Sequence, residues 1–193
     1  ADTQMGMAAV TSDNKALADY VNNIQIPCNA QQGDKLPVST FKDMADGEFP
    51  QGSAAFEKRG IAVKVPQWIP ENCIQCNQCS YVCPHAVIRP VALSAEEAAN
   101  APEGMKMVDF KPAMEGMKFA MTVSALDCTG CGSCANVCPA KNKALVMQPL
   151  ESQLGEQEIF AYGTTIDEKP AVAAKFKATT CLLYTSPSPR DIS

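Results

Sequence analysis

The chain has 193 residues, 46% of them apolar, with 16 Lys and Arg against 21 Asp and Glu for a net charge of −5. That length fits one ordinary domain, or a small domain with extended flanks. The acidic balance argues against nucleic acid as a partner, since phosphate binding needs clustered Lys and Arg. No run approaches the roughly 18 apolar residues of a membrane span. The start lacks the charged and apolar regions of a signal peptide. It begins on Ala1 rather than Met, so the chain is expected to be a piece of a longer one.

In chain order, residues 1–35 read as the end of a preceding domain or a linker. They contain one helix in which Ala16, Leu17, Tyr20, Val21 and Ile24 recur at helical spacing and Pro27 ends the pattern. Residues 36–60, rich in Pro, Gly, Asp and Phe, read as a loop-rich covering segment. Residues 61–65 form a strand that stops at Pro66, which has no N–H to give to a ladder.

A repeat follows within residues 61–150. Cys73-Ile-Gln-Cys-Asn-Gln-Cys-Ser-Tyr-Val-Cys-Pro84 returns as Cys128-Thr-Gly-Cys-Gly-Ser-Cys-Ala-Asn-Val-Cys-Pro139, with every cysteine and the proline in register. Strand-like sequence brackets each copy, at 61–65 and 86–88 and again at 118–123 and 144–147. Two strand–loop–helix–strand units predict an α+β module with a pseudo-twofold repeat. Between the copies, Ser94-Ala-Glu-Glu97 fits a capping box opening a short helix that runs to Asn100 before Pro102. Residues 151–180 read as a polar linker toward a further C-terminal domain. Residues 181–193 change character, resemble read-through of foreign sequence, and are expected to be a non-native tail.

Ten cysteines would suggest disulfides in a secreted chain, but eight of them fall in two identical spacings. That regularity points to metal and to a reducing compartment, with the cytoplasm as default. A C-x₂-C-x₂-C-x₃-C-P run supplies three thiolates to one [4Fe–4S] cluster, and its fourth cysteine ligates the other cluster of a pair. One cluster is then expected on Cys73, Cys76, Cys79 and Cys138, and a second on Cys128, Cys131, Cys134 and Cys83. Zinc is the competing metal, but Cys₄ zinc sites use two knuckles separated by a longer loop. The second loop carries the small residues Gly130, Gly132, Ser133 and Ala135; the first carries Ile74, Gln75, Asn77 and Gln78. This contrast predicts either two clusters of different potential or a difference of packing alone.

Other reactive side chains are expected to do less. Cys28 is a buried or half-buried thiol, Cys181 falls in the suspect tail, and His85 neighbours the second cluster without ligating it. Tyr81 packs where an aromatic would keep water from a cluster. No dinucleotide fingerprint, P-loop or nucleophile–base pair is present, so no catalytic residue is assigned.

Leu36-Pro-Val-Ser-Thr-Phe41, Asp46-Gly-Glu-Phe-Pro-Gln-Gly52 and Phe56-Glu-Lys-Arg-Gly-Ile-Ala62 resemble the segment before the cluster domain of pyruvate:ferredoxin (flavodoxin) oxidoreductases. The resemblance continues through Trp68-Ile-Pro-Glu-Asn-Cys73, Cys83-Pro-His-Ala-Val-Ile-Arg-Pro90, Leu126-Asp-Cys128 and Ala144-Leu-Val-Met-Gln-Pro-Leu-Glu-Ser152. It implies that the whole enzyme decarboxylates pyruvate on thiamine diphosphate with Mg, to acetyl-CoA. Electrons would pass through a third cluster held elsewhere and then through the two carried here. Ferredoxin or flavodoxin would accept them, the intact enzyme would be a homodimer, and this piece alone would be inactive. A free-standing two-cluster electron carrier is the alternative.

Overall fold

The computed structural model describes residues 9–111 and 114–175; the expected non-native tail and Cys181 lie outside the described residues. The chain divides into two compact units, one ending at Lys58 and the other beginning at Arg59.

In the first unit the helix runs past Pro27. Helix α1 (Lys15–Tyr20) is capped by the Asn14 side chain and passes through a π-helical turn, Val21–Gln25, into α2 (Ile26–Asn29). The ladder changes register just before the proline, with the Ile26 N–H reaching back to the Val21 carbonyl. A π turn widens the helix at that point, so Pro27 continues it where an unbroken α ladder would have lost a bond. Leu17, Val21 and Ile24 form the buried face. Beyond α2, short 3₁₀ turns alternate with loop: Gly33–Lys35, Val38–Met44 and Ser53–Phe56.

The second unit holds two small antiparallel sheets. Strands β1 (Lys64–Trp68) and β5 (Leu145–Pro149) pair as a ribbon, while β2 (Ile88–Ser94) and β3 (Val108–Asp109) flank β4 (Met117–Val123). Helices α3 (Gln78–Tyr81), α4 (Ala95–Ala99), α5 (Ser133–Val137), α6 (Glu156–Thr164) and α7 (Pro170–Ala173) complete it. Strand β1 begins three residues later than the sequence pattern places it and runs through Pro66 instead of ending there. Pro66 faces Met147 and Pro90 faces Met121. The bonds from Leu150 N to Val63 O and from Ser124 N to Val87 O fix the ladder phase and leave the backbone nitrogens of both prolines pointing away from the paired strand. A missing N–H costs no ladder bond there.

Phe119 to Val123 of β4 are buried on both faces. Trp68 and Phe110 meet Phe119 edge-on, with ring centroids 5.9 and 5.5 Å away. Helix α6 lies on β4, with Gly163 against Thr122. Ile159 and Phe160 are buried, and Arg89 stacks over the Phe160 ring at 5.2 Å. Residues 151–164 are thus built into this unit, which departs from the expectation of a linker. The segment's apolar residues are few, and their burial depends on a strand more than thirty positions away. The capping box at Ser94 and Glu97 forms as its spacing predicts, and Asn100 is the C-cap of α4. Among the described residues, no helix is long and apolar enough to cross a membrane.

Candidate metal centres

Each cysteine run leaves a strand, makes a turn with two left-handed residues, and enters a helix of four or five residues. Gln75 and Asn77 take φ of 59° and 56°; the matching Gly130 and Gly132 take 72° and 74°. Identical backbone geometry is therefore built from polar residues in one copy and glycine in the other. At Gly130 a side chain would also be crowded, since a Cβ there would lie 3.0 Å from the Lys64 carbonyl oxygen. In both copies the residue two after the first cysteine turns its N–H onto that sulfur. Gln75 N lies 3.4 Å from Cys73 Sγ, and Gly130 N lies 3.3 Å from Cys128 Sγ.

Separate braces hold the two loops. The Gln75 amide donates to the Asp109 carbonyl at 2.8 Å and accepts from Lys111 N at 2.8 Å, while Lys111 Nζ donates to the Cys73 carbonyl at 3.1 Å. The insert between the copies thus fastens the first loop, a role for Gln75 that its sequence context does not reveal. Gln157 of α6 accepts from Leu126 N at 3.2 Å beside the hydrogen-bonded Ser124 and Asp127, fixing the approach to Cys128. Lys143 Nζ caps the Cys138 carbonyl at 2.7 Å, and Ser80 Oγ donates to the Ile88 carbonyl at 2.6 Å.

Two small cavities lie between these loops and the sheets. Cys73, Cys76, Cys79 and Cys138 line one, with Trp68, Asn77, Met121 and Leu145. Cys83, Cys128, Cys131 and Cys134 line the other, with Pro66, His85, Thr129 and Ser133. In each case the fourth cysteine comes from the opposite repeat.

Burial pushes the Cys79 thiol up to about 12 and Cys134 to about 11, and raises Cys76 and Cys128 as well. Cys131 moves down, because the Ser133 hydroxyl and backbone N–H stabilise its thiolate. Buried thiols with raised pKa values ionise only against a strongly cationic partner, which is what an iron–sulfur core supplies. Among the described residues no three His, Cys, Asp or Glu converge on a point as a single ion would need, whereas each set of four thiols surrounds a volume. The donor set fits a polynuclear sulfur-ligated group.

Two other residues, Cys28 and Tyr81, fall differently from their expected places. Cys28 is exposed rather than buried or half-buried. Tyr81 is 64% exposed and lines neither cavity, so it does not keep water from either thiol set. Its helix is a single turn that directs the side chain outward. His85 lies on the wall of the second cavity.

Residues 72–142 match the 4Fe–4S dicluster domain family, and residues 8–62 match a domain of unknown function called EKR. The chain is 49% identical over 162 residues to the pyruvate-flavodoxin oxidoreductase of Enterobacter agglomerans. It is 50% identical over 163 residues to the pyruvate:ferredoxin oxidoreductase of Moorella thermoacetica. Each match takes in 84% of this chain and 14% of the relative, so the chain spans about one seventh of their length. A shorter match, 46% over 121 residues, joins it to the pyruvate dehydrogenase [NADP(+)] of Euglena gracilis. A free-standing carrier is not favoured, because the similarity runs well beyond the cluster core into proteins many times longer. The chain belongs to the pyruvate:ferredoxin (flavodoxin) oxidoreductase family, as the stretch that carries its 4Fe–4S dicluster domain.

Proposed function

We propose that this stretch is the internal electron relay of a pyruvate-oxidising enzyme. Cys73, Cys76, Cys79 and Cys138 would hold one [4Fe–4S] cluster, and Cys128, Cys131, Cys134 and Cys83 the other. The observation that carries this reading is the gathering of each set of four around its own cavity, with one member drawn from the opposite repeat. A bound cluster of this type takes up and releases one electron at a time. The chain's part is to present four thiolates to each cluster, to bury Cys73, Cys128 and Cys134, and to aim backbone N–H groups at Cys73 and Cys128.

A pseudo-twofold relation between the halves is part of this proposal. The pairing of β1 with β5 and of β2 with β4 supports it, because exchanging the halves turns one pair into the other. The exchange of the fourth cysteine follows from the same symmetry, so neither site is complete without both halves.

In the whole protein the substrate is pyruvate, oxidised to acetyl-CoA on thiamine diphosphate, with a third cluster, in parts outside this stretch. Ferredoxin or flavodoxin takes the electrons, the intact enzyme is a cytoplasmic homodimer, and this stretch alone turns over no pyruvate. Relatives named for flavodoxin, ferredoxin and NADP(+) share the stretch at similar identity, which suits a relay upstream of acceptor choice.

Single Cys→Ser variants test the ligand sets. After anaerobic loading with iron and sulfide, Cys76→Ser and Cys138→Ser should lose one and the same EPR signal. Cys131→Ser and Cys83→Ser should lose the other. If Cys76→Ser instead pairs with Cys83→Ser, the ligands are not exchanged between repeats and the assignment is wrong.

A further inference from the structure

We propose that Asn77 and Trp68 donate hydrogen bonds to the sulfurs of the cluster on Cys73, Cys76, Cys79 and Cys138, making it the more readily reduced of the two. This rests on the two-cluster reading above and adds the direction of electron flow.

Among the described residues of the second unit, three buried side-chain polar atoms have no hydrogen-bond partner: Trp68 Nε1 and both amide atoms of Asn77. Asn77 is 1% exposed and Trp68 5%. A buried donor left unsatisfied is strongly disfavoured, so two in one small unit call for an acceptor. Both residues are on the wall of the same cavity, the one lined by Cys73, Cys76, Cys79 and Cys138. The sulfides and thiolates of a cluster there offer acceptors only, complementary to an indole N–H and an amide NH₂.

The second cavity lacks these donors. In the register that matches Cys73 with Cys128, Gly132 stands where Asn77 does and Val123 where Trp68 does. The polar donors it has, His85, Thr129 and Ser133, are all exposed, the last two beside exposed Cys131, so water competes with them. The backbone N–H to sulfur bonds are nearly equal in the two loops, at 3.4 and 3.3 Å, and cancel from the comparison. Asn77 also occupies a left-handed position where glycine is the relaxed choice, and what it adds over glycine is the amide.

The sign follows from charge. Reduction places one more negative charge on the sulfur-rich core, and buried donors stabilise that state more than the oxidised one. One electron therefore leaves the group held by Cys128, Cys131, Cys134 and Cys83, which is oxidised, and reduces the group held by Cys73, Cys76, Cys79 and Cys138. No bond is made or broken and no proton is needed.

The full chain, loaded anaerobically with iron and sulfide, is titrated under EPR. Two resolved couples are expected. Asn77→Gly and Trp68→Phe should each shift the higher couple about tenfold toward the oxidised form, ~59 mV for one electron, and leave the lower couple in place. Gly132→Asn should raise the lower couple; its φ of 74° accepts Asn and no atom lies within 4 Å of the new Cβ. With ¹⁵N label in the Asn and Trp side chains, pulsed EPR should show coupling of both nitrogens to the reduced first cluster. A chain that binds no iron overturns the two-cluster reading itself. A chain that loads both clusters but has coincident couples, or couples unmoved by all three variants, overturns the hydrogen-bond assignment alone.

Discussion

Gly130 and Gly132 share a backbone conformation but not surroundings, which makes them a matched pair for measuring what shapes the second cysteine loop. Alanine at either pays for the left-handed φ, about 1–2 kcal/mol. At Gly130 the new Cβ would also lie 3.0 Å from the Lys64 carbonyl oxygen and 3.2 Å from Ala62 Cβ, at the start of β1. Neither neighbour is a flexible side-chain tip, so the loop or the ribbon must move, at about 1–3 kcal/mol more. At Gly132 no atom lies within 4 Å of the added Cβ. Gly130→Ala should therefore cost ~2–5 kcal/mol and Gly132→Ala only ~1–2 kcal/mol. Anaerobic urea unfolding of the cluster-loaded chain, followed by far-UV circular dichroism, would rank the two midpoints against wild type. Equal losses would mean that backbone conformation alone sets the cost and that the approach of the Cys128 loop to β1 contributes nothing.

Two further substitutions probe the C-terminal part of the unit. Gly163 lies inside α6, where alanine favours an isolated helix by up to ~1 kcal/mol. Its Cβ, however, would meet Thr122 at 3.0 Å and Val91 at 3.3 Å. Gly163→Ala should lower stability by about 1 kcal/mol net, whereas a gain in thermal or urea midpoint would show that this segment is a loosely attached linker after all. At Glu97, burial works to raise the carboxyl pKa, but the Lys169 ammonium at 2.8 Å and the Ser94 bonds outweigh it and hold it below the ordinary range. A carboxyl lowered in the folded state stabilises above its unfolded pKa, and that contribution is lost as pH falls through the folded value. Wild type should therefore lose its advantage over Lys169→Met across the acid end of the carboxylate range. Parallel stability–pH curves for the two proteins would refute the pairing.

What the sequence made legible follows from where the information is local. The cysteine spacing announces which thiols can share a site, because ligand geometry within a loop depends on a few consecutive residues. The Ser94–Glu97 capping box is equally local and forms as read. Strand limits were less legible, since Pro66 and Pro90 look like breaks until the partner strands show that their missing N–H groups face away from the ladder. Pro27 is similar: the π turn before it is set by how the helix packs, not by the proline alone. Residues 151–164 carry too weak a pattern to mark α6, whose burial comes from β4 and β2. The loops around the cysteines mislead in a more informative way. Gly130 and Gly132 announce left-handed backbone, while Gln75 and Asn77 hide the same backbone behind side chains that glycine cannot supply. Gln75 braces the loop to the insert, and Asn77 is buried with no partner. The two cysteine loops thus share their left-handed positions and differ in their donors. On the proposed reading that combination suits a relay, since like loops would hold two like centres and unlike donors would set their potentials apart.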